Sequence, residues 1–222
     1  MVLPVALGAA FIGLALVAHR AMNGTMLDHA VLEWLLAHRR DGLTTAAVVV
    51  TTVGSPLAMT VLALIACAAL WWRHSVATGL IVAATLGTAY GMSTTTKVLV
   101  GAHRPPPSVQ LLLEHDPSYP SGHVTGTVAL LGILAVVIGV GRRAAIRRAL
   151  AAGVAIAALA VAVTRLYLGV HWLTDVAGGV LLGGIAVALG SVVNQKVRQA
   201  SGSEVISGSS TGRRGPAARH RQ

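Results

Sequence analysis

The amino-acid sequence predicts an all-α polytopic membrane protein, a bundle of six transmembrane helices. Hydrophobic residues make up 55% of the 222 residues and charged residues only 11%, about half of the charged fraction of a soluble domain. Six stretches are free of Asp, Glu, Lys, Arg and His, and most have the roughly 17–25 residues that cross a bilayer as a helix. They are residues 2–18, 43–72, 75–96, 124–141, 149–164 and 176–193. The low charge and the long apolar runs exclude a soluble globular protein. Because the runs are continuous rather than alternating, an outer-membrane barrel is also excluded.

The first run is predicted to be a retained transmembrane helix. A secretory signal carries a positive charge before its apolar core and a small-residue cleavage site after it, and residues 2–18 lack a clear version of either. The next segment contains an amphipathic pattern that predicts a helix at about 24–40; its apolar residues are Leu27, Val31, Trp34 and Leu35. We expect this helix to lie in the membrane interface, and an ordinary helix of a surface loop is the alternative.

The second run is too long for a single upright span. Gly54, Ser55 and Pro56 interrupt it, and proline disfavours a continuous helix. The run is therefore either one kinked, tilted helix or a short outer helix followed by a span at about 56–72, and we expect the second. The third run should end before Arg104, where a Pro-rich polar loop leads to the fourth run.

The end of the chain differs in composition from the rest. Residues 194–222 are rich in Ser, Gly and Arg and have almost no apolar content, which is typical of a disordered segment. We therefore expect one membrane domain at 1–193, followed by a disordered basic tail in the cytoplasm.

The distribution of Lys and Arg predicts the topology. If the tail lies in the cytoplasm, six spans also place Arg73 and the arginines of 142–148 there, which satisfies the positive-inside rule. Both termini are then cytoplasmic, and the loops 97–123 and 165–175 share the outer face of a plasma (inner) membrane. The net charge of +10 does not indicate nucleic-acid binding, because aromatic residues are only 4% of the chain and no aromatic-studded basic surface is evident.

The two outer loops hold an unusual set of polar residues at the membrane boundary, where ionisable groups usually have a function. Lys97 and Arg104 are seven residues apart, and Arg165 comes from a different span. Three converging cations suit a phosphate, which would compensate their desolvation. The alternative is that each cation reaches separately toward lipid headgroups.

The same loops contain two histidines. His171 and Asp175 are four residues apart, so that the carboxylate can orient the ring and leave its other nitrogen free as a nucleophile. His123 follows Pro120-Ser121-Gly122 on a tight turn at the start of a helix, where backbone N–H groups can bind an anion. The alternatives are a capping His–Asp pair and an ordinary capping serine. Together with the cations, the set favours phosphoryl transfer without a metal, since three cations would oppose zinc.

Three motifs in this order resemble those of a known family. Lys97-Val-Leu-Val-Gly-Ala-His-Arg104-Pro105 is similar to its K-x6-R-P motif, Pro120-Ser121-Gly122-His123 to P-S-G-H, and Arg165-x5-His171-x3-Asp175 to the core of S-R-x5-H-x3-D. The sequence therefore resembles the integral-membrane members of the type-2 phosphatidic acid phosphatase superfamily, which are related to vanadium-dependent haloperoxidases.

This resemblance implies a role for each residue. His171 would form a phosphohistidine, Asp175 would orient it, and His123 would protonate the leaving oxygen. The remaining site residues would hold the phosphate; they are Lys97, Arg104, Arg165, Ser121 and Gly122. Thr164 stands where the family usually has Ser, which keeps a hydroxyl at that position.

The function predicted on these grounds is a lipid phosphate phosphatase that needs no cofactor or metal. The substrate would be a phosphate of a bilayer lipid, and the candidates are polyprenyl diphosphate, phosphatidic acid and phosphatidylglycerol phosphate. Two alternatives stay open at this point. One is a non-catalytic lipid-binding or transport protein of the same fold, and the other is a vanadate-dependent oxidase.

Overall fold

A computed structural model describes the backbone of residues 2–73 and 76–211, and the side chains of residues 4–73 and 76–200. This part of the chain forms eight α-helices and no strand. They are α1 (Val2–Arg20), α2 (Met26–Ala37), α3 (Asp41–Val53), α4 (Pro56–Arg73), α5 (Val76–Val100), α6 (Gly122–Gly139), α7 (Ala144–Tyr167) and α8 (Leu173–Thr211).

Six of these helices form the predicted bundle. In the described residues, α4, α5, α6, α7 and the part of α8 up to Ala200 are long and apolar enough to cross a membrane. Helix α1 is a shorter apolar helix, and it packs against α8 and α5 through Phe11 and Ala18. The all-α membrane fold predicted from the sequence is therefore confirmed.

Helix α6 lies at the centre of the bundle and contacts α4, α5, α7 and α8. Its Leu130 and Ile133 are fully buried. Helix α8 approaches α6 closely because it carries glycines on the facing side. A Cβ atom on Gly179 would stand 2.8 Å from the carbonyl oxygen of Ser121, and one on Gly183 would stand 2.6 Å from Val128 Cβ. Small residues of this kind let helix backbones approach closely in a membrane.

The second apolar run forms two helices, as expected. Helix α3 ends at Val53, and α4 begins at Pro56, where proline is well tolerated because the first N–H of a helix has no partner. The Ser55 hydroxyl accepts a hydrogen bond from the Ala58 N–H at 3.2 Å. Pro56 therefore starts a new helix instead of bending the old one.

Helix α2 lies within the predicted segment 24–40. It begins with a capping box in which Thr25 and Asp28 satisfy each other's backbone N–H groups. Leu27 and Trp34 are exposed. Asp28 is buried against the start of α8, where its Oδ1 also accepts a hydrogen bond from the Thr174 backbone N–H at 2.9 Å. Helix α2 thereby supports the start of α8.

Helix α8 extends beyond residue 193, where we placed the end of the membrane domain and the start of the tail, and it continues through Thr211. The residues just after 193 still pack on the bundle: Asn194 is buried and Val197 contacts the cluster around Ile133 and Ala186. The remaining tail residues, 212–222, lie outside the described part of the chain.

Candidate active site

His171 lies between α7 and α8 and makes a hydrogen bond at each ring nitrogen. Its Nδ1 is 3.1 Å from Asp175 Oδ2, and its Nε2 is 3.1 Å from a guanidinium nitrogen of Arg104. A carboxylate accepts and a guanidinium only donates, so the partners assign the proton to Nδ1 and leave the Nε2 lone pair as the acceptor. This is the tautomer that the predicted nucleophile requires.

Asp175 is held in place by three donors. Besides His171, the Trp172 backbone N–H donates to Oδ2 at 2.8 Å and the Ser118 hydroxyl donates to Oδ1 at 3.2 Å. The carboxylate lies in the first turn of α8, where the helix dipole stabilises a negative charge. Asp175 therefore fixes the orientation of His171 without contact with solvent.

Arg104 connects the first motif to the third. Helix α5 ends at Val100, and Gly101 adopts a positive φ of 65° that turns the chain into the loop. The Arg104 guanidinium then donates to the Val170 carbonyl at 2.7 Å in addition to His171 Nε2. A guanidinium fixed in this way can bind a phosphate oxygen beside the histidine.

Two carboxylates of the loop bind all three predicted phosphate-binding cations. Glu114 forms ion pairs with Arg104 at 3.0 Å and with Arg165. Asp116 forms ion pairs with Lys97 at 3.0 Å and with Arg104 at 2.7 Å. The three cations therefore surround one region, and the carboxylates provide the negative charge there.

The charges of this cluster decide the ionisation of its acids. Burial alone would raise the pKa of Glu114, but the Arg165 and Arg104 charges outweigh it and hold the pKa below its usual value. Burial would also raise the pKa of Asp116, but the hydrogen bonds and positive charges of Lys97 and Arg104 together outweigh it and lower the pKa. Both carboxylates are therefore ionised at neutral pH.

For His171, burial and the nearby positive charges change the pKa in the same direction. Burial lowers the pKa of His171 well below the usual value of 6.5, and the positive charges of Arg104 and Arg165 lower it further. The ring is therefore neutral at neutral pH, in agreement with the hydrogen bonds at its two nitrogens.

The second motif lies at the start of α6. Ser121 is the N-cap residue, and Gly122 and His123 form the first turn. The Ser121 backbone N–H donates to the Asp175 carbonyl at 3.0 Å, which ties this turn to the third motif. The Tyr119–Pro120 peptide bond is cis. His123 is half-buried and lies two residues after this hydrogen-bonded serine.

Two atoms of the site are buried without a hydrogen-bond partner among the described residues. They are the Ser121 hydroxyl oxygen and Arg165 Nε. Arg165 is otherwise held by Glu114 and by the Thr51 hydroxyl at 3.0 Å. Buried polar atoms of this kind are rare and expensive, and both belong to residues predicted to bind phosphate.

One family accounts for more than half of the chain. Residues 77–199, which contain all three motifs, match the PAP2 superfamily. The chain belongs to the PAP2 superfamily. No curated protein matches the sequence significantly.

Solved PAP2 structures share the fold. A transmembrane PAP2-type phosphatidylglycerolphosphate phosphatase from Bacillus subtilis is 25% identical, with a TM-score of 0.80, over 89% of this chain and 98% of its own. Aquifex aeolicus LpxE has the same fold at 19% identity, with a TM-score of 0.61, over 76% of this chain and 96% of its own. The predicted family is confirmed, and the PAP2 neighbours support a membrane phosphatase.

Three residues of the PAP2 site were not predicted from the sequence. Glu114 and Asp116 were missed, although three cations in a membrane protein should have indicated counter-charges in the adjoining loop. Thr51 was missed because nothing in its apolar run marks it.

Thr164, which keeps a hydroxyl where the family usually has Ser, does not direct that hydroxyl to another helix. The Thr164 hydroxyl donates to the Val161 carbonyl at 2.7 Å within α7.

Proposed function

We propose that the chain is a metal-independent lipid phosphate phosphatase that cleaves a phosphomonoester or diphosphate of a membrane lipid through a phosphohistidine. The observation that carries the proposal is the pair of buried, unpartnered polar atoms, Ser121 Oγ and Arg165 Nε. They lie in a cluster whose other cations, Lys97 and Arg104, are neutralised among the described residues by carboxylates of a loop. A phosphate supplies both the charge and the acceptor oxygens that such a set requires.

In the first chemical step, the Nε2 lone pair of His171 attacks phosphorus. The bond between phosphorus and the ester oxygen breaks, and that oxygen takes a proton from His123. Asp175 keeps its hydrogen bond to Nδ1 and stabilises the positive charge on the phosphorylated ring. Lys97, Arg104 and Arg165 stabilise the non-bridging oxygens.

In the second step, a water molecule attacks the phosphohistidine. His123 accepts a proton from this water, the bond between Nε2 and phosphorus breaks, and inorganic phosphate is formed. The imidazole of His171 returns to the neutral form with Nδ1 protonated, which is the form held between Asp175 and Arg104.

The position of the site at the end of the bundle supports a lipid substrate. Val98 and Leu99 are exposed beside Lys97, so that an acyl or prenyl chain can stay in the bilayer while its phosphate enters the site. The Bacillus subtilis neighbour acts on phosphatidylglycerol phosphate. For this chain we place polyprenyl diphosphate beside phosphatidylglycerol phosphate and phosphatidic acid as the candidate substrates.

The proposal includes a location. The site faces the outside of the plasma membrane, and both termini lie in the cytoplasm, because Arg73 and the arginines of 142–148 then follow the positive-inside rule. Cysteine-accessibility labelling at the 142–148 connection in intact cells tests this orientation. Labelling by an impermeant reagent added from outside would contradict it.

The test of the activity is phosphate release by purified protein from monophosphate and diphosphate lipids. The wild-type protein should release phosphate in the presence of EDTA, and His171→Gln should release none while keeping its thermal unfolding temperature. Full turnover by folded His171→Gln, or loss of wild-type activity in EDTA that added metal restores, would contradict the mechanism. The lipid hydrolysed with the highest kcat/KM identifies the substrate class.

A further inference from the structure

A large crevice opens at the end of the bundle opposite the candidate active site. Its volume is about 1240 Å³, and it is formed by α6, α7 and α8. Helix α6 runs from the site to this crevice over 18 residues, a rise of about 27 Å. Helices α7 and α8 both pack on α6 much more than on each other, which leaves a gap between them at this end.

The lining of the crevice combines cations with apolar walls. The walls include Val136, Val154 and Val187, contributed by the three helices in turn. Four arginines lie at its edge, and they are Arg142, Arg147, Arg148 and Arg198. A ligand that matches both parts has a negative head and an apolar body.

The positive charge of this edge is not neutralised by the described residues. None of the ion pairs among the described residues involves these four arginines. Helix α7 also begins at this edge, with no side-chain cap and no acidic residue in its first turn. The helix dipole therefore adds to the positive potential of the arginines.

A buried polar group inside the crevice gives an independent indication of a ligand. Asn194 lines the crevice and is only 4% exposed. Its side-chain amide makes no hydrogen bond to another described residue, and its polar atoms keep some contact with the open crevice. A buried amide normally has a partner, and a phosphate or glycerol oxygen of a bound molecule would provide one.

We propose that this crevice binds an anionic phospholipid of the leaflet opposite the candidate active site. Its phosphate lies among Arg147, Arg148 and Arg198, its polar head reaches Asn194, and its chains follow the valine-lined walls into the bilayer. A free phosphate ion would fill only a small part of the volume and would leave the apolar walls without a partner. The site is separate from the proposed catalytic chemistry.

The experiment measures lipid binding to the full-length protein by native mass spectrometry in detergent. The probe is an equimolar mixture of phosphatidylglycerol and phosphatidylcholine. We expect the protein to retain phosphatidylglycerol selectively. The double variant R147Q/R148Q should weaken this binding about tenfold or more, since each cation facing an anionic lipid surface contributes roughly a factor of five.

A matched control removes the same charge from the same end of the bundle. Arg73 and Lys196 are exposed there but do not line the crevice, so R73Q/K196Q should bind phosphatidylglycerol within about twofold of the wild type if the crevice is specific. Equal weakening in both double variants would overturn the proposal, because general surface charge would then account for the binding.

Two single variants distinguish the crevice from the candidate active site as the place where the lipid binds. Asn194→Leu keeps all four arginines and should still weaken phosphatidylglycerol binding, so unchanged binding by this variant would contradict the proposal. Arg104→Gln changes the candidate active site and should leave the binding unchanged. If Arg104→Gln loses the lipid and R147Q/R148Q retains it, the lipid binds at the active site and the proposal is overturned. If millimolar inorganic phosphate displaces the lipid, the crevice is a site for free anions and the proposal is overturned as well.

Discussion

Glu114→Gln tests whether the loop carboxylates compete with phosphate for the same cations. Glu114 bonds to both Arg104 and Arg165, and glutamine has the same shape and keeps one acceptor oxygen. The substitution therefore removes one negative charge from the cluster while leaving Arg165 a hydrogen-bond partner. A phosphate analogue then competes with less negative charge for Arg104 and Arg165, and we expect it to bind more tightly.

The size of the effect follows from the contacts of Glu114. A hydrogen bond to a charged group contributes about 1.5–3 kcal/mol, and Glu114 makes one such bond to each of two arginines. Its side chain is 24% exposed, and the glutamine oxygen retains part of the interaction, so we use the lower end of this range for the whole change. About 1.5 kcal/mol corresponds to a roughly tenfold lower inhibition constant for orthovanadate.

The assay is inhibition of phosphate release by orthovanadate, measured with purified protein in detergent. Glu33→Gln is the matched control, because Glu33 is exposed on α2 and takes part in no ion pair among the described residues. It should leave the inhibition constant within about twofold of the wild type. An inhibition constant that rises in Glu114→Gln would refute the reasoning, since Glu114 would then only hold Arg165 in place.

Three other predictions concern the supports of the site. Thr51→Val removes the hydrogen bond from the charged Arg165 guanidinium at 3.0 Å, and it should raise KM about tenfold with kcat nearly unchanged, because a hydrogen bond to a charged group contributes about 1.5 kcal/mol at the lower end of its range; an unchanged KM would exclude this role. Gly179→Ala places a Cβ 2.8 Å from the Ser121 carbonyl and should cost about 1–3 kcal/mol of stability, with lower activity, whereas Gly184→Ala, whose Cβ has no neighbour closer than 3.9 Å, should change neither. The lowered pKa of His171 means that the unfolded chain binds a proton below about pH 6.5 while the folded protein does not. The thermal unfolding temperature should therefore fall between pH 7 and pH 5, and His171→Gln should reduce this dependence; an equal dependence in both proteins would show that other groups cause it.

The sequence predicted the helices and the motif residues because both depend on local patterns. Charge-free runs indicate burial in lipid wherever they occur, and proline is tolerated in the first turn of a helix but not in its interior, so Pro56 marks the start of a new helix. The three cations and two histidines could be grouped because each stands at the end of a span. To predict that these residues lie on the same side of the membrane, only the order of the spans along the chain was needed.

The partners of these residues depend on the path of a loop and could not be predicted in the same way. Glu114 reaches Arg165 only because the loop after α5 folds back over the end of α7. The helical extension of α8 was missed for a related reason. Asn194 and Val197 resemble a polar tail in the sequence, and they are held in a helix by packing against the bundle.

The most direct test of the proposed mechanism is detection of a phosphoryl group on His171. A substrate with a good leaving group, such as p-nitrophenyl phosphate, needs little help from His123 in the first step. Folded His123→Ala should therefore form the intermediate and hydrolyse it slowly. Quenching under alkaline conditions followed by peptide mass spectrometry should show phosphohistidine at His171 in this variant and none in the double variant that also carries His171→Gln. Continued turnover by His123→Ala with no phosphoryl group on His171, or with the group on another residue, would contradict the mechanism.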